Sequence, residues 1–389
     1  MIDLPDGYVP VRDLTTGEIL YGSRTTSFEF QVFTHDPATG QDSQIGFLDG
    51  VQPDGELDWD ANEAVKKSGT LNVLDLEVAE PGMLRISDLN FFTDRILPVR
   101  KIIGLPDTPL GMYVLTDAPE TWADTGGTIN LTLHDKSTML DQDAVDETYT
   151  VDAATPILTA VAAVVASAGE FINVDASVTL TPTSAMTWPA GTTKLQIVND
   201  LLDALNYNSL WMDGAGNFRA TPKTLPADRS ILYEMLNDDS GAPLVRELVD
   251  GEQSIYSPDW PNDRDLFDVP NKVTAIQSGD GDSPALVGEW TNEDPNSPTS
   301  YQARGNHWKV AVLPDVDVPD FSAEDDPDAA TVAFLQATAQ PSLIASSAVQ
   351  AARSVKCLPF PFELLDAIRF ANTPAGIDAR HTIQSATIP

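Results

Sequence analysis

Hydrophobic residues recur at every second position through the first third of the chain and at every third or fourth position in its middle. In SFEFQVFT, Ser27 to Thr34, Phe28, Phe30 and Val32 share one face and Glu29 and Gln31 the other, the period of a half-buried strand. TLNVLDLEV, Thr70 to Val78, starts in one phase with Leu71 and Val73 and slips to Leu74, Leu76 and Val78, which predicts a bulge or bend. LGMYVLT from Leu110 and GTINLTLHD from Gly127 complete the set, the latter with Ile129, Leu131 and Leu133 inward and Thr128, Asn130, Thr132 and His134 outward. The turn formers of DAPETWADTGG between them predict an antiparallel pair with a long loop. Short strands without intervening helices imply a barrel or sandwich.

The middle of the chain signals two helices. In ATPILTAVAAVVASAG, Thr155 is placed to cap, Pro156 to occupy the first helical position and Gly169 to end the helix, while Ile157, Val161, Val164, Val165 and Ala168 fall at helical spacing. In TKLQIVNDLLDALNY, Thr193 and Gln196 form a capping-box pattern, Leu195, Val198, Leu202 and Leu205 make one stripe, and Asn206 and Asn208 close the helix. SLWMDGAGNFRATP follows at once, with a glycine-bearing turn at Asp213-Gly214 that predicts a hairpin.

Beyond about Leu225 the pattern returns to short strands: NKVTAIQ from Asn271, HWKVAVL from His307, ELLDAIRF from Glu363 and RHTIQSATI from Arg380. A helix starting at the acidic cluster Glu324, Asp325, Asp326 and Asp328 with Pro327 should be kinked or split by Pro341. Ser278 to Thr299, rich in Gly, Pro, Asp and Asn, reads as a mobile loop. No repeat of 20 to 50 residues is visible. With 389 residues, two or three packed units are expected, and 42% hydrophobic residues suffice to bury their cores.

Charge narrows the partners. The net charge of −37 disfavours attraction to nucleic-acid phosphates or anionic lipid, and the acidity is spread along the chain. It fits solubility at high salt, and equally a surface that must not adhere to DNA. The longest apolar run, Ile157 to Ala168, falls short of the roughly 20 residues of a transmembrane helix, so no membrane span is expected. MIDLPDGYVP lacks the features of a secretory signal, which points to a chain made and kept in the cytoplasm unless it leaves by a route that needs no such signal. The single cysteine, Cys357, excludes an internal disulfide and reads as a small apolar residue near a strand.

Chemistry-bearing patterns are scarce. His35, His134, His307 and His381 are scattered, and there is no H-E-x-x-H, G-x-S-x-G, phosphate-binding glycine loop or Cys-x-x-Cys. A triad assembled from distant positions is not excluded by this. Asp58 and Asp60 beside Trp59, Asp280 and Asp282, and the cluster at Glu324 offer oxygen ligands, but calcium needs six to eight, and with 59 acidic residues chance clustering is expected. Asp213 and Asn217 leave two readings open, a turn and a calcium loop. Trp188, Tyr207 and Trp211 could form a sugar platform or close a small core. No catalytic, cofactor-binding or metal-binding residue is assigned, and no cofactor.

The order of these signals resembles the tail hub proteins of long-tailed phages, also called baseplate hub or minor tail proteins, especially those infecting actinobacteria. The resemblance runs from about Leu71 to Pro222. It rests on the corner Asp135, Lys136 and Ser137, on the helix start Trp188, Pro189, Gly191, Thr192, Lys194 and Leu195, and on the hairpin Trp211, Asp213, Gly214 and Gly216. It implies a mainly β chain with an α/β insertion: residues 1–135 as a first tube-like antiparallel β-barrel, 136–225 as a small helix–hairpin domain, and 226–389 as a second tube-like barrel with a helical segment.

The resemblance further implies a non-enzymatic virion protein, assembled in the host cytoplasm into a homotrimer at the tail tip. Three copies would present a pseudo-sixfold ring to the distal tail protein ring, contact the end of the tape measure protein, and carry the receptor-binding tip proteins. Phage DNA would pass through without specific binding. With no long extension before Pro389, lytic activity and receptor binding would belong to other proteins. Two other readings compete: a virion-associated carbohydrate-binding or polysaccharide-degrading protein using Trp211 or Trp122, and a halophile's cytosolic binding protein.

Overall fold

The computed structural model describes residues 26–75, 80–102, 106–123, 126–182, 185–205, 207–224, 229–237, 244–247, 253–256, 262–263, 268–277, 285–295, 297, 299–314, 316, 318, 325–348, 352–357 and 361–389. The fold is mainly β, with 41% strand and 16% helix, as the period-two patterns predict. It divides into two compact units. One holds the described residues up to Lys223 together with Ser230–Tyr256 and Cys357–Pro389, and the other holds Thr224–Arg229 and Ser257–Lys356.

In the first unit, ten strands join the chain's last strand in one sheet: β1 (Thr26–Asp36), β2 (Gln41–Leu48), β3 (Glu56–Asp60), β4 (Lys67–Leu74), β5 (Met83–Leu84), β6 (Asp94–Ile102), β7 (Thr108–Pro109), β8 (Tyr113–Asp117), β9 (Glu120–Ala123) and β10 (Gly126–Asp135). The order runs from Ser385–Ile388 through β3, β4, β10, β8, β6, β1 and β2 to β5, with β7 beside β6 and β9 beside β10. Among the described residues these two ends of the order do not pair with each other. The predicted antiparallel pair is β8 with β10, and β9 folds its connection back onto the start of β10. The phase slip at Leu76 to Val78 lies outside the described residues.

Alternation sets the core. Val32, Val73, Leu131 and Leu133 are buried and Leu71 nearly so, each worth about 2 kcal/mol relative to exposure. The strand β6 escapes the alternation rule because both of its faces are covered. Ile96 packs into the sheet core, whereas Leu97 and Val99 pack against a helical module. That module contains α1 (Thr138–Gln142), α2 (Ile157–Ser167), α3 (Lys194–Ala204) and the hairpin of Trp211–Met212 with Phe218–Arg219. Val161, Val165, Leu195, Val198, Leu202 and Phe218 are its centre.

The caps of α2 differ from expectation at one end only. Pro156, not Thr155, is the N-cap, with ψ 129° and no side-chain cap bond. The Ile157 N–H is instead satisfied by Leu180 O at 2.9 Å. At the other end Gly169 has φ +79°, the Gly169 N–H donates to Ala166 O and the Glu170 N–H to Val165 O, a Schellman closure that needs a residue free to turn left-handed. For α3, Thr193 Oγ1 accepts from the Gln196 N–H at 3.2 Å, as the capping pattern predicts. Leu205 is the C-cap, and Asn206 lies outside the described residues.

A five-stranded sheet completes the unit, in the order Gln253–Ile255, Leu244–Glu247, Tyr233–Asn237, Ala367–Asn372, Ile377–Thr382. A row of charges crosses it. Arg369 Nη1 reaches Glu234 Oε1 at 2.9 Å and Nη2 reaches Asp378 Oδ2 at 2.8 Å, while Arg246 pairs with the other oxygen of Glu234. Burial raises the Glu234 carboxyl, but these two arginines outweigh it and hold it below its ordinary range. RHTIQSATI, read as one strand, is two. Ile377–Thr382 stays in this sheet and Ser385–Ile388 crosses to β3, because Ile383 is tied to the main chain of Leu365 and Asp366.

In the second unit, Lys272–Gln277 lies between antiparallel Leu286–Thr291 and parallel Val310–Leu313. The segment Ser278 to Thr299, expected as a loop, is therefore partly strand. A glycine and flanking Asp and Asn residues hid the pattern. Gly288 is required because a Cβ there would come within 2.4 Å of Gln336 N on α4 (Pro327–Ala348). The helix begins as predicted, with Asp326 Oδ1 accepting from Ala329 N–H at 3.0 Å. It runs unsplit through Pro341, contrary to expectation. Leu335, Ala339 and Leu343 pack on Val273 and Ala275, and this burial on both sides of the proline offsets one lost hydrogen bond.

Candidate functional site

The corner that closes β10 is built from buried charge. Asp135, 1% exposed, accepts from the Lys66 and Lys67 N–H groups at 3.1 and 2.9 Å through Oδ2, and from Ser137 N–H at 2.8 Å through Oδ1. A short carboxylate that takes three main-chain donors can fold the strand end tightly onto β4. The corner then presents Lys136 to the interior, its Nζ 4.9 Å above the Phe218 ring.

Five ionisable side chains from separate segments meet there. Lys136 Nζ lies 3.6 Å from Asp42 Oδ2 and 3.7 Å from Glu170 Oε2. Arg95 places Nη1 3.0 Å from Asp42 Oδ1 and 3.2 Å from Glu170 Oε2, and its Nη2 on Glu170 Oε1. His35 Nδ1 is 2.8 Å from Asp42 Oδ1, and His35 Nε2 donates to Gly169 O at 3.0 Å, a carbonyl that can only accept. Because β6 points residues 95, 97 and 99 towards the helical module, Arg95 meets Glu170, just past the end of α2. Two acidic side chains, Asp42 and Glu170, thus face two basic ones, Arg95 and Lys136, with His35 beside them. Buried pairs of this kind hold geometry more than they add stability.

A second buried cation braces the hairpin. Lys67, 1% exposed, lies 4.2 Å from the Trp59 ring centroid and 3.5 Å from Leu110 O. Trp59 Nε1–H donates to Tyr113 Oη at 3.0 Å, and Tyr113 Oη–H donates to Leu110 O at 3.3 Å. Burial pushes the Lys67 ammonium down to about 8, against the opposing pull of Glu363, Asp135 and Asp213. Burial likewise pushes the Tyr113 phenol above its ordinary range.

The two readings of Asp213 can now be weighed. Its carboxylate takes Asn217 N–H at 2.9 Å, Arg219 Nε–H at 2.8 Å and Arg219 Nη2 at 2.6 Å. Gly214 N–H donates to Glu363 Oε1 at 3.0 Å, and Gly111 N–H to Gly214 O at 2.8 Å. The oxygens that a cation would need are committed to a guanidinium and to the turn. Among the described residues, no group of three or more His, Cys, Asp or Glu is placed to hold a metal ion.

The other singled-out residues also make internal contacts. Trp188 Nε1–H donates to Asp200 Oδ2 at 2.8 Å and Trp211 Nε1–H to Thr221 Oγ1 at 3.1 Å. Asn208 ties the helix end to Thr221. Gly191, at φ +90°, donates its N–H to Val145 O, and Lys194 Nζ joins Asp143 Oδ2 at 2.6 Å to Ser167 O at 2.8 Å. Asp58 accepts from Thr387 Oγ1–H, and Asp60 from Asn62. The Trp122 side chain, Asp280, Asp282 and Glu324 lie outside the described residues. Cys357 is half-buried and bridges to Tyr256. His134 meets Thr116 at 2.9 Å and His381 packs edge-on to Phe370, while His307 is exposed. Arg95, Asp42, Glu170, Lys67 and Glu363 carried no sequence signal, since each meets partners from distant segments: Arg95 is 53 residues from Asp42 and 75 from Glu170, and Glu363 is 149 from Gly214.

No helix among the described residues is long and apolar enough to cross a membrane. The fold, a large sheet with a helical module and a further sheet, is similar to that of two solved tail proteins. A tail protein from Neisseria meningitidis MC58 has TM-score 0.56 and 10% identity, over 93% of this chain and 91% of that one. The 43 kDa tail protein of prophage MuSo2 from Shewanella oneidensis has TM-score 0.55 and 11% identity, over 92% of this chain and 93% of that one. No family model and no curated protein sequence matches this chain.

Proposed function

We propose that this chain is a structural, non-enzymatic virion protein: the trimeric hub at a phage tail tip, joining the hexameric tail tube or distal tail ring to threefold tip proteins. The observation that carries this reading is likeness over more than nine-tenths of the chain to two tail proteins, of which one belongs to a prophage. The buried charges lock elements to one another, as suits a structural part.

The proposed division is a first tube-like barrel at 1–135, an inserted domain at 136–225 and a second tube-like barrel at 226–389. The separate cores of the large sheet and the helical module support the first boundary, and the five-stranded sheet falls within the third region. Three copies would ring the DNA channel, held between the distal tail ring, the end of the tape measure protein and the receptor-binding tip proteins. The net charge of −37 suits a wall that repels a passing duplex.

Quantitative mass spectrometry of purified particles from the encoding phage tests this reading. Three copies per tail, and tailless particles when the gene is deleted, are expected. Absence of the chain from intact particles, or sustained release of reducing sugar from host-wall polysaccharide by the pure protein, would contradict it.

A further inference from the structure

In the second unit α4 covers one face of the three-stranded sheet, and among the described residues of this unit the opposite face is left partly exposed. Val273, Ala275 and Gly288 turn towards the helix. By alternation Thr274 and Ile276 turn away, together with Val287, Val310 and Val312. Register makes these contiguous: Ile276 pairs with Val287, and Thr274 with both Glu289 and Val312. Val287 is 39% exposed, Val310 46% and Val312 51%. Trp308, in phase with Val310 and 39% exposed, stacks on Tyr301 with ring centroids 4.3 Å apart. A rigid, half-exposed aromatic beside a row of valines is the make-up of an interface centre.

We propose that this sheet face is where copies of the chain meet one another. The inference rests on the trimer reading above and gives that trimer a surface. Charge selects the occupant. Chains of net charge −37 repel across most of their surfaces. Among the described strand residues of this face the charges are Lys272 and Glu289, which neutralise each other at 2.8 Å. A second acidic chain can therefore approach here without opposing charge, whereas a basic partner or a nucleic acid finds no net field to bind. Among the described residues the unit has two layers, and a second copy would supply a third over the apolar sheet face.

Sedimentation equilibrium of the full chain at about 0.15 M salt tests the proposal with the double variant Val310→Glu/Val312→Glu. Wild type is expected as a trimer. In the variant the dissociation midpoint should rise about a hundredfold or more, with circular dichroism unchanged because both positions are half exposed. A second variant, Val310→Thr/Val312→Thr, keeps strand-forming side chains and should still weaken the trimer about tenfold. Phe92→Ser, at a 94% exposed residue of the first unit, should leave it intact. A folded variant pair that remains as trimeric as wild type overturns the assignment of this face and leaves the hub reading standing. A wild-type chain that is monomeric throughout overturns both.

Discussion

Arg95 and Glu170 form a two-pronged ion pair between β6 and the residue just past α2, with side chains 3% and 1% exposed. It links the sheet to the helical module, and Asp42 and Lys136 reach the same two groups from other segments. Removing one partner strands a charge in the interior. Glu170→Gln or Arg95→Met alone should cost about 3–5 kcal/mol in denaturant unfolding. The double change Arg95→Met/Glu170→Met should cost clearly less than the sum of the two singles. Additive costs would mean that the pair is not coupled.

Gly214 tests how tightly the hairpin is pinned. A Cβ there would lie 2.5 Å from Pro109 O and 2.8 Å from Glu363 Oε1. Gly214→Ala should therefore destabilise by about 3 kcal/mol through displaced backbone. Gly376→Ala, in open space at φ +64°, should cost only the left-handed penalty of about 1 kcal/mol. Equal melting temperatures for the two variants would refute the close approach.

Lys67 gives a signed pH dependence. Its folded value of about 8 lies below the ordinary 10.5, so between these values the unfolded chain holds a proton that the folded chain does not. Stability should rise with pH across that window, by up to about 3 kcal/mol. Above roughly pH 10 the trend should reverse, since the buried Tyr113 phenol resists ionisation that the unfolded chain undergoes. Lys67→Met should abolish the rise. A wild-type curve parallel to that of Lys67→Met from pH 7 to 10 would show that Lys67 loses no proton preference on folding.

Much of the fold was legible where one face of an element meets solvent. The alternation in β1 and β10, the Thr193 cap and the Gly169 stop all follow from local chemistry. What escaped was buried on both sides or stabilised from afar. In β6 the run of buried residues, Pro98 included, gives no period two, and in Leu286–Thr291 a glycine stands where a helix presses close. The corner Asp135-Lys136-Ser137 could be recognised as a unit, but not the buried cluster around it. Asp42, Arg95 and Glu170 converge only through pairing of β1 with β2 and β6 and the turn after α2. Similarly, Asp213 offered the oxygens of a metal loop until Arg219, six residues on, was seen to occupy them.

A cryo-electron map of the assembled tail tests the hub reading most directly. Three copies of this chain closing a ring around the axial channel at the end of the tail tube are predicted. A particle whose tip ring is built wholly from other chains, or in which this chain sits as a single copy off the axis, would contradict it.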